Sequence, residues 1–450
     1  MRRESDAIGL ERAAAIKGAM QRVWGAYSLY AWGKDEVKPS TKRGDDNWGG
    51  MGVTLIDSLD TLWLMGFKKE FYRARDWVRD HLTFDCAGTV SVFETTIRVL
   101  GGLLSAHDLS GDPVFLARAK ELADRLMPAF DSPSGLPYKM LHLTTGRPGD
   151  RSHTVLAEVG TLQLEFRQLS HALNDTRYAD KANRVFELLA EQSHPHGLFP
   201  IRLSPETGKF MGSHVTFGAL GDSAYEYLLK AWLQGGRQEQ SFRRMYDRAM
   251  DGVHDLLLNK AGGLTYLSEW NGKTHQHRMD HLACFVGGNL ALGAATSPDG
   301  ENAARDLQTG KALAYTCLQM YRQTATGLPP ETVEFSNGQM RPRAKARHYV
   351  LRPETAESFF ILHQLTRDPI YREWGWEVFL AIEAHCRVGA AYGSHPDVTD
   401  TTRQPDDSLE SFFPGETLKY LFLLFSPDQP ISLLTHVFNT EAHPLRIFAD

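Results

Sequence analysis

The stretch LSGDPVF, residues 109–115, has the pattern of one helix that ends in a short polar turn and a second helix that opens with an aromatic residue. Related stretches are LNDTRY at 173–178 and LTRDPIY at 365–371, with a looser copy, QSF, at 240–242. A hydrophobic period of about 3.6 residues accompanies them, whereas alternating strand patterns are short, as at 262–270. The chain is therefore predicted to be mainly helical, with its helices joined as hairpins.

The aromatic residues that open the second helices recur at intervals of 63, 64 and 129 residues, at Phe115, Tyr178, Phe242 and Tyr371. The last interval is close to two units, which predicts a further member near residues 303–306. A unit of about 64 residues is too long for tetratricopeptide or HEAT solenoids. It divides the 450 residues into seven hairpins. We predict a single all-α domain over 1–450, an (α/α)7 barrel of helical hairpins with short β-hairpins closing one end.

Composition excludes several classes of partner. The formal net charge is −6 and charges of both signs are scattered, so no basic stripe for nucleic acid and no polybasic segment for anionic lipid is present. No apolar run approaches the roughly 18 residues of a membrane span, and residues 1–20 carry charges where a signal peptide has its apolar core. We expect a monomer that acts on a neutral polyol, without nucleic-acid or membrane contact.

Three carboxylates, Glu94, Asp222 and Glu354, each lie at the front of a helix-like stretch, just after a loop. In a barrel of helix pairs those helix ends converge on one face, so the three side chains are expected to meet. Helix capping explains any one of them alone, because a carboxylate there stabilises the helix by about 0.3–1 kcal/mol. Three together fit glycoside hydrolysis, which needs a carboxylic acid and a carboxylate on either side of the bond that is cut.

Further residues are placed to assist these acids. Arg98 follows Glu94 by one helical turn and Arg352 precedes Glu354 by two residues, so each arginine can orient an acid or lower its pKa. Glu416 begins another helix-like stretch and is expected in the same cluster. Aromatic rings near the acids, Phe412 among them, can stack on the apolar face of a sugar, although core packing explains most such rings.

Six stretches resemble motifs of the class I α-1,2-mannosidases, glycoside hydrolase family 47. In chain order they are FETTIR (93–98), GDSAYEYLLK (221–230), RMDHL (278–282), LRPETAESFF (351–360), ESFFPGETLKYLFLLF (410–425) and VFNTEAHP (437–444). The resemblance extends from about Trp48 to the C-terminus. It implies an (α/α)7 barrel and an inverting exo-α-1,2-mannosidase that trims high-mannose N-glycans or other α-1,2-mannooligosaccharides with one Ca²⁺ at the barrel floor.

The resemblance also implies roles for single residues. Glu94 would be the general acid and Glu354 the base, with Asp222 completing the triad. Thr440 would be the direct protein ligand of Ca²⁺ through its hydroxyl and its backbone carbonyl, and because Ca²⁺ takes six to eight oxygens, water and sugar hydroxyls would complete the shell. The implied sugar-binding residues are Arg98, Glu158, Leu220, Asp280, His281, Arg352, Glu357, Phe412, Glu416 and Glu441.

Two further positions bear on specificity and location. Leu220 stands where family members that remove a single mannose carry arginine, which implies the removal of several. Cys284 and Cys317 match a disulfide of eukaryotic members, which would stabilise the fold by about 3–4 kcal/mol and require an oxidising compartment. We therefore expect the lumen of the endoplasmic reticulum or Golgi, or a bacterial periplasm or extracellular space.

Two other functions stay open at this point. A mannosidase-like glycan-recognition protein of the lectin type would bind mannose with little turnover. A sugar isomerase on the same fold would use histidine as a proton shuttle, and His281 and His348 are the centrally placed candidates.

Overall fold

The computed structural model describes residues 2–192, 194–297 and 300–448, with side chains from residue 6 onward except at position 301. Helices dominate it. The α-helices are α1 (Arg2–Tyr30), α2 (Val53–Asp57), α3 (Leu59–Leu64), α4 (Lys68–Asp80), α5 (Val92–Glu94), α6 (Gly101–Ser110), α7 (Pro113–Leu126), α8 (Leu156–Val159), α9 (Gln163–Leu173), α10 (Arg177–Ala190), α11 (Asp222–Gln234), α12 (Gln240–Gly252), α13 (Phe285–Ala295), α14 (Gly300–Arg322), α15 (Glu354–Thr366), α16 (Ile370–His385) and α17 (Leu418–Phe425).

Within the described ranges, seven helix pairs form the barrel: α3–α4, α6–α7, α9–α10, α11–α12, α13–α14, α15–α16 and α17–α1. The first members of these pairs contact one another in sequence, and the π-helical turn before α17 packs against α3 and closes the ring. The predicted (α/α)7 barrel is confirmed. The helix expected to begin near residues 303–306 is α14, which starts at Gly300.

The predicted hairpin turn owes its shape to local chemistry. Gly111 ends α6 with a positive φ of 72°, a conformation that glycine adopts without strain. Asp112 then caps α7 by accepting a hydrogen bond from the Val114 backbone N–H, and Pro113 occupies the first helical turn. The aromatic residue that follows, Phe115, is fully buried. Turn residues and buried ring together set the angle between the two helices.

Inner and outer helices differ in burial. The outer helix α10 buries Tyr178, Ala182, Val185, Phe186 and Leu189, which share one face at helical spacing. The inner helix α11 is buried along almost its whole length. Core residues therefore line both sides of the inner ring.

Short antiparallel strands decorate the barrel. They are β1 (Glu36–Lys38), β2 (Arg43–Asp45), β3 (Val90–Ser91), β4 (Met140–His142), β5 (Arg147–Pro148), β6 (Thr154–Val155), β7 (Arg202–Leu203), β8 (Leu258–Ala261), β9 (Leu264–Leu267), β10 (Glu269–Trp270), β11 (His275–Gln276), β12 (Arg278–Asp280), β13 (Thr332–Ser336), β14 (Gln339–Pro342), β15 (Arg387–Val388), β16 (Ala391–Tyr392), β17 (His436–Phe438) and β18 (Pro444–Arg446). Two of them lead into short helices that precede inner helices: β3 leads into α5, before α6, and β6 leads into α8, before α9.

Two features complete the fold. The predicted disulfide between Cys284 and Cys317 is present, with the two Cα atoms 5.9 Å apart, and it ties α14 to the turn before α13. None of the helices in the described residues is both long and apolar enough to cross a membrane.

Candidate active site

A cavity of about 280 Å³ brings together residues from most of the predicted motifs. The predicted site residues that line it are Glu94, Arg98, Glu158, Leu220, Asp222, Arg352, Glu354, Phe412, Glu416, Thr440 and Glu441. Phe93 is another of the aromatic rings expected beside the acids, and it also lines the cavity. Sequence reasoning did not single out the remaining lining residues, Ile97, Val155, Ala157, Ala219, Ser223, Leu282 and Pro353. Most of these are apolar side chains without a chemical role of their own, and Ile97, Ser223, Leu282 and Pro353 lie inside the quoted motifs.

The three candidate catalytic carboxylates lie in the first turn of a helical stretch, as predicted. Asp222 is the first residue of α11 and Glu354 the first of α15, while Glu94 ends the short helix α5. The chain continues from Glu94 through a π-helical turn, Thr95–Leu100, into α6. Single π-helical turns of this kind are frequent at functional sites. Here the turn carries Arg98 into the cavity.

Strained backbone precedes two of these acids. Leu220 and Leu351 adopt positive φ angles of 79° and 66°, a conformation that costs a non-glycine residue about 1–3 kcal/mol. Each is followed within three residues by a candidate acid, Asp222 or Glu354. The strained turns aim the start of α11 and of α15 into the cavity.

Arg98 is the best-connected cation of the site. Its Nε donates to Glu94 Oε2 at 2.7 Å, and its Nη1 donates to Ser411 Oγ at 2.9 Å. The same Nε lies 3.7 Å from Glu441 Oε1. The guanidinium is almost fully buried, so these contacts fix the orientation of Glu94 on one side of the cavity.

Arg352 has a different partner from the one expected. Its Nε and Nη2 donate to the carboxylate of Glu331 at 2.8 and 2.6 Å. Sequence reasoning missed this bidentate ion pair. The charge of Arg352 still opposes the rise in the pKa of Glu354. Glu331 thus holds the arginine, and Arg352 acts on Glu354 through its field rather than through a direct hydrogen bond.

Burial dominates the electrostatics of the cavity. Burial raises the pKa of Glu158 and of Asp222 to about 7, and that of Glu354 to about 8. One oxygen each of Glu158 and Glu354 is buried without a hydrogen-bond partner among the described residues. Such carboxyl groups can exchange protons near neutral pH, which general acid–base catalysis requires.

Three predicted sugar-binding residues lie behind the cavity wall. Asp280 accepts hydrogen bonds from Thr332 Oγ1 at 2.8 Å and from the Ala219 backbone N–H at 3.3 Å. His281 is buried with its Nδ1 3.8 Å from Glu354 Oε2. Glu357 lies one helical turn after Glu354, with its Oε1 3.8 Å from Lys230 Nζ. The geometry brings these residues against the acids and the loop of Leu220.

Thr440 lies at the tip of the β17–β18 hairpin, which inserts between the inner helices. Asn439 organises this tip: its side-chain oxygen accepts from the backbone N–H groups of Glu441 and His443, and its Nδ2 donates to Glu165 at 2.7 Å. The Thr440 backbone N–H donates to Tyr227 Oη at 3.3 Å. The absence of a side chain at Gly101 leaves room for the tip, since a Cβ there would lie 2.6 Å from Asn439 Nδ2.

A buried ion network, Asp57, Asp60, Lys419 and His443, supports the hairpin. Lys419 Nζ lies 2.8 Å from Asp60 Oδ1, and His443 contacts Asp60 through Nδ1 at 2.6 Å and Asp57 through Nε2 at 2.9 Å. All four side chains are fully buried. Sequence reasoning missed Asp57, Asp60 and Lys419; their one signal is a set of charges inside otherwise apolar segments.

Carboxylate oxygens line the cavity together with Thr440, which bears on whether a metal ion can bind there. Over the described part of the chain, His, Cys, Asp and Glu form no group of three or more that could hold a metal by themselves. Oxygens of Glu354 and Glu441 are nevertheless buried without hydrogen-bond partners there, and both residues line the cavity with Thr440 and Glu416. A hard cation prefers oxygen donors, and it would neutralise the negative charge of these neighbouring carboxylates. The oxygens of Glu354, Glu416, Thr440 and Glu441 therefore fit Ca²⁺.

Comparison with known proteins gives a consistent result. The model of Glycosyl hydrolase family 47 matches residues 19–447. The chain is 45% identical to a mannosyl-oligosaccharide 1,2-alpha-mannosidase of Arabidopsis thaliana, over 99% of this chain and 80% of that protein. It is 42% identical to mannosyl-oligosaccharide 1,2-alpha-mannosidase IA of Sus scrofa, over 100% of this chain and 70% of that protein.

Solved structures give the same picture. An alpha-1,2-mannosidase from Trichoderma reesei superimposes with a TM-score of 0.91 at 33% identity, covering 97% of this chain and 99% of that one. A D-mannose isomerase reaches a TM-score of 0.57 at 14% identity, over 75% of this chain and 87% of that one, which shows a shared helical fold alone.

Proposed function

This chain belongs to glycosyl hydrolase family 47, and on that premise we propose that it is an inverting, calcium-dependent exo-α-1,2-mannosidase that trims high-mannose N-glycans. The observation that carries the proposal is the convergence of Glu94, Asp222 and Glu354 on one cavity with Thr440 at its wall. These residues come from three distant helices and one hairpin. Glycoside hydrolysis needs carboxyl groups that give and take protons, and burial holds the pKa of Asp222 at about 7 and that of Glu354 at about 8, which supports this reaction over simple sugar binding.

The residues divide the chemistry between them. Glu94, held by Arg98, gives its proton to the glycosidic oxygen, and Glu354 takes a proton from the attacking water. Asp222 lies beside the same cavity and orients the sugar and the water. The aromatic ring of Phe412 also lines the cavity and offers the sugar an apolar face.

The oxygen atoms around Thr440 fit a calcium ion. Thr440 would hold it through hydroxyl and carbonyl oxygens, with Glu354, Glu416 and Glu441 supplying negative charge nearby. When bound, it supplies a positive charge that orients sugar hydroxyls and makes a nearby water more acidic. A positive charge there would also lower the pKa of Glu354, whose value of about 8 without the cation suits a proton donor better than a base.

Leu220 supports broad specificity. Its side chain is 43% exposed at the cavity and offers no charge or hydrogen bond to a neighbouring sugar. A residue of this kind does not select one branch over another, so several α-1,2-linked mannoses are expected to be removed.

We propose further that residues 1–450 act as one monomeric catalytic domain. The Cys284–Cys317 disulfide fits any oxidising compartment, and relatives such as the endoplasmic reticulum mannosyl-oligosaccharide 1,2-alpha-mannosidase of Rattus norvegicus support the secretory pathway among these.

The test is hydrolysis of α-1,2-mannobiose followed by NMR of the anomeric protons, in parallel with Ca²⁺ and with EDTA. Initial β-mannose that depends on Ca²⁺ is the expected result. Initial α-mannose would mean retention of configuration and a wrong base. Mannose binding without any product would favour the glycan-recognition alternative, and interconversion of free mannose would favour an isomerase.

A further inference from the structure

The segment from Asp46 to Val53 is held by a single buried carboxylate. Asp35 Oδ2 accepts from the backbone N–H groups of Trp48 at 2.8 Å and Gly50 at 2.7 Å, and its Oδ1 accepts from Met51 at 2.8 Å and Val53 at 3.2 Å. Four charge-assisted hydrogen bonds on one fully buried side chain leave this segment little freedom.

The next residue fixes the side chains of the same segment. Glu36, also buried, accepts from the indole Nε1 of Trp48 at 3.0 Å and from Asn47 Nδ2 at 2.8 Å. The backbone of Trp48 is thus held by Asp35 and the edge of its ring by Glu36. This arrangement determines where the face of the ring points.

The face of the Trp48 ring lies against the guanidinium group of Arg98. The Arg98 guanidinium carbon lies 4.6 Å from the centre of the Trp48 ring, and 5.5 Å from that of Phe412. The electron-rich face of an aromatic ring attracts a cation, and the attraction strengthens when water is excluded. Trp48 is not among the residues that line the cavity, whereas Arg98 is, so the contact of this ring with the site runs through Arg98.

We infer that Trp48 is a positioning residue for the proposed hydrolysis: its ring holds the Arg98 guanidinium in the orientation that keeps Nε on Glu94 Oε2. Without the ring, the guanidinium gains a second resting place in the space left behind. Glu94 then loses its fixed orientation toward the glycosidic oxygen. The inference rests on the proposed function, because it assigns Trp48 to the same reaction.

The test compares Trp48→Leu, Trp48→Phe and Trp63→Leu with the unsubstituted protein on α-1,2-mannobiose. Trp63→Leu is the matched control, because Trp63 is also partly buried with a cation, Lys68 Nζ, 2.8 Å from its ring centre, but neither residue lines the cavity. For Trp48→Leu we expect kcat to fall about 10- to 100-fold with KM within about threefold, the size expected for misplacement of a reacting group. Trp48→Phe keeps a ring and should recover most of kcat, and Trp63→Leu should retain the kcat of the folded enzyme.

A double substitution separates positioning from general destabilisation. If Trp48 acts through Arg98, Trp48→Leu combined with Arg98→Lys is no slower than Arg98→Lys alone, whereas independent effects multiply. Multiplying effects, or a Trp48→Leu kcat within twofold of the unsubstituted protein, would overturn the inference. Near-ultraviolet circular dichroism verifies folding, and Trp48→Met replaces Trp48→Leu if the latter does not fold. An unsubstituted protein that releases no mannose would instead refute the proposed function itself.

Discussion

Two groups of buried ionisable side chains lie at the base of the cavity. The pKa values of their carboxyl groups are shifted in opposite directions. The first, the pocket carboxylates, comprises Glu354, Glu357, Glu416 and Glu441. The pKa of each is raised above its usual range, first by burial and then by other carboxylates of the same region. Lys230, Lys419, Arg98 and Arg352 offset this rise in pKa in part.

The buried ion network is the second group. Burial alone would raise the pKa of Asp60, yet Lys419 and His443 outweigh it and hold that pKa below its usual range. Burial opposes protonation of His443, but Asp60 and Asp57 raise its pKa nevertheless. Each charge in this network has a partner of opposite sign.

The contrast distinguishes a functional site, the pocket carboxylates, from its structural support, the buried ion network. Carboxylates gathered with too few cations to balance them lower stability, and such groups persist where a substrate or cation supplies the missing interactions. Paired charges satisfy one another and fix one arrangement. Because the network grips His443, three residues after Thr440, it holds the hairpin that carries the candidate calcium ligand.

The largest expected effect is on catalysis. Glu354→Gln keeps the size of the side chain but removes its ability to exchange a proton, so mannose release from α-1,2-mannobiose should fall about 10²- to 10⁴-fold. The matched control is Glu377→Gln on the outer surface, where the carboxylate pairs with Arg322. Thermal unfolding should show that Glu354→Gln is folded. Undiminished hydrolysis would remove Glu354 from the catalytic set.

The next effect is on stability and arises in the network. Lys419→Met leaves Asp60 with a buried charge and one cationic partner fewer, so the free energy of unfolding should fall by about 3–5 kcal/mol. Lys120→Met is its control, because Lys120 forms an exposed pair with Asp124 and should change stability by less than about 1 kcal/mol. Urea denaturation measures both. Equal losses in the two variants would mean that the network is no more important than a surface pair.

Prediction from sequence succeeded where the determinants are local. The turn at Gly111, Asp112 and Pro113 fixes a helix pair within a few residues, and its repetition gave the barrel. Helix starts likewise placed Asp222 and Glu354 together. The network escaped prediction because its members are remote: His443 meets Asp60 across 383 residues of chain. The ion pair of Arg352 with Glu331 escaped for a related reason, since a nearer acid, Glu354, was the obvious partner.

The pH dependence of stability provides a third test. A folded-state pKa of His443 above its ordinary 6.5 stabilises the protein fully below pH 6.5, and this contribution is lost as pH rises through the folded pKa. The difference in Tm between the unsubstituted protein and His443→Gln should therefore be constant between pH 5 and about 6 and should shrink at higher pH. The lowered pKa of Asp60 acts at the other end, where stability is lost as pH falls below its ordinary 3.8. A Tm difference that grows with pH would show that His443 is neutral in the fold.

The smallest effect has the opposite sign and concerns the pocket carboxylates. Glu416 is fully buried, and after burial itself Glu354, Glu357 and Asp57 raise its pKa well above the usual range. In Ca²⁺-free buffer at pH 8, Glu416→Gln should therefore raise stability by about 0.5–2 kcal/mol, the range of single stabilising substitutions, while it lowers hydrolysis. The gain should vanish near pH 4, where glutamate is neutral in the unfolded chain as well. It should also shrink when Ca²⁺ is added, because a bound cation relieves the same repulsion. Loss of stability in Glu416→Gln at pH 8 would show that this carboxylate is paired in the fold, and the distinction between site and support would then not hold at Glu416.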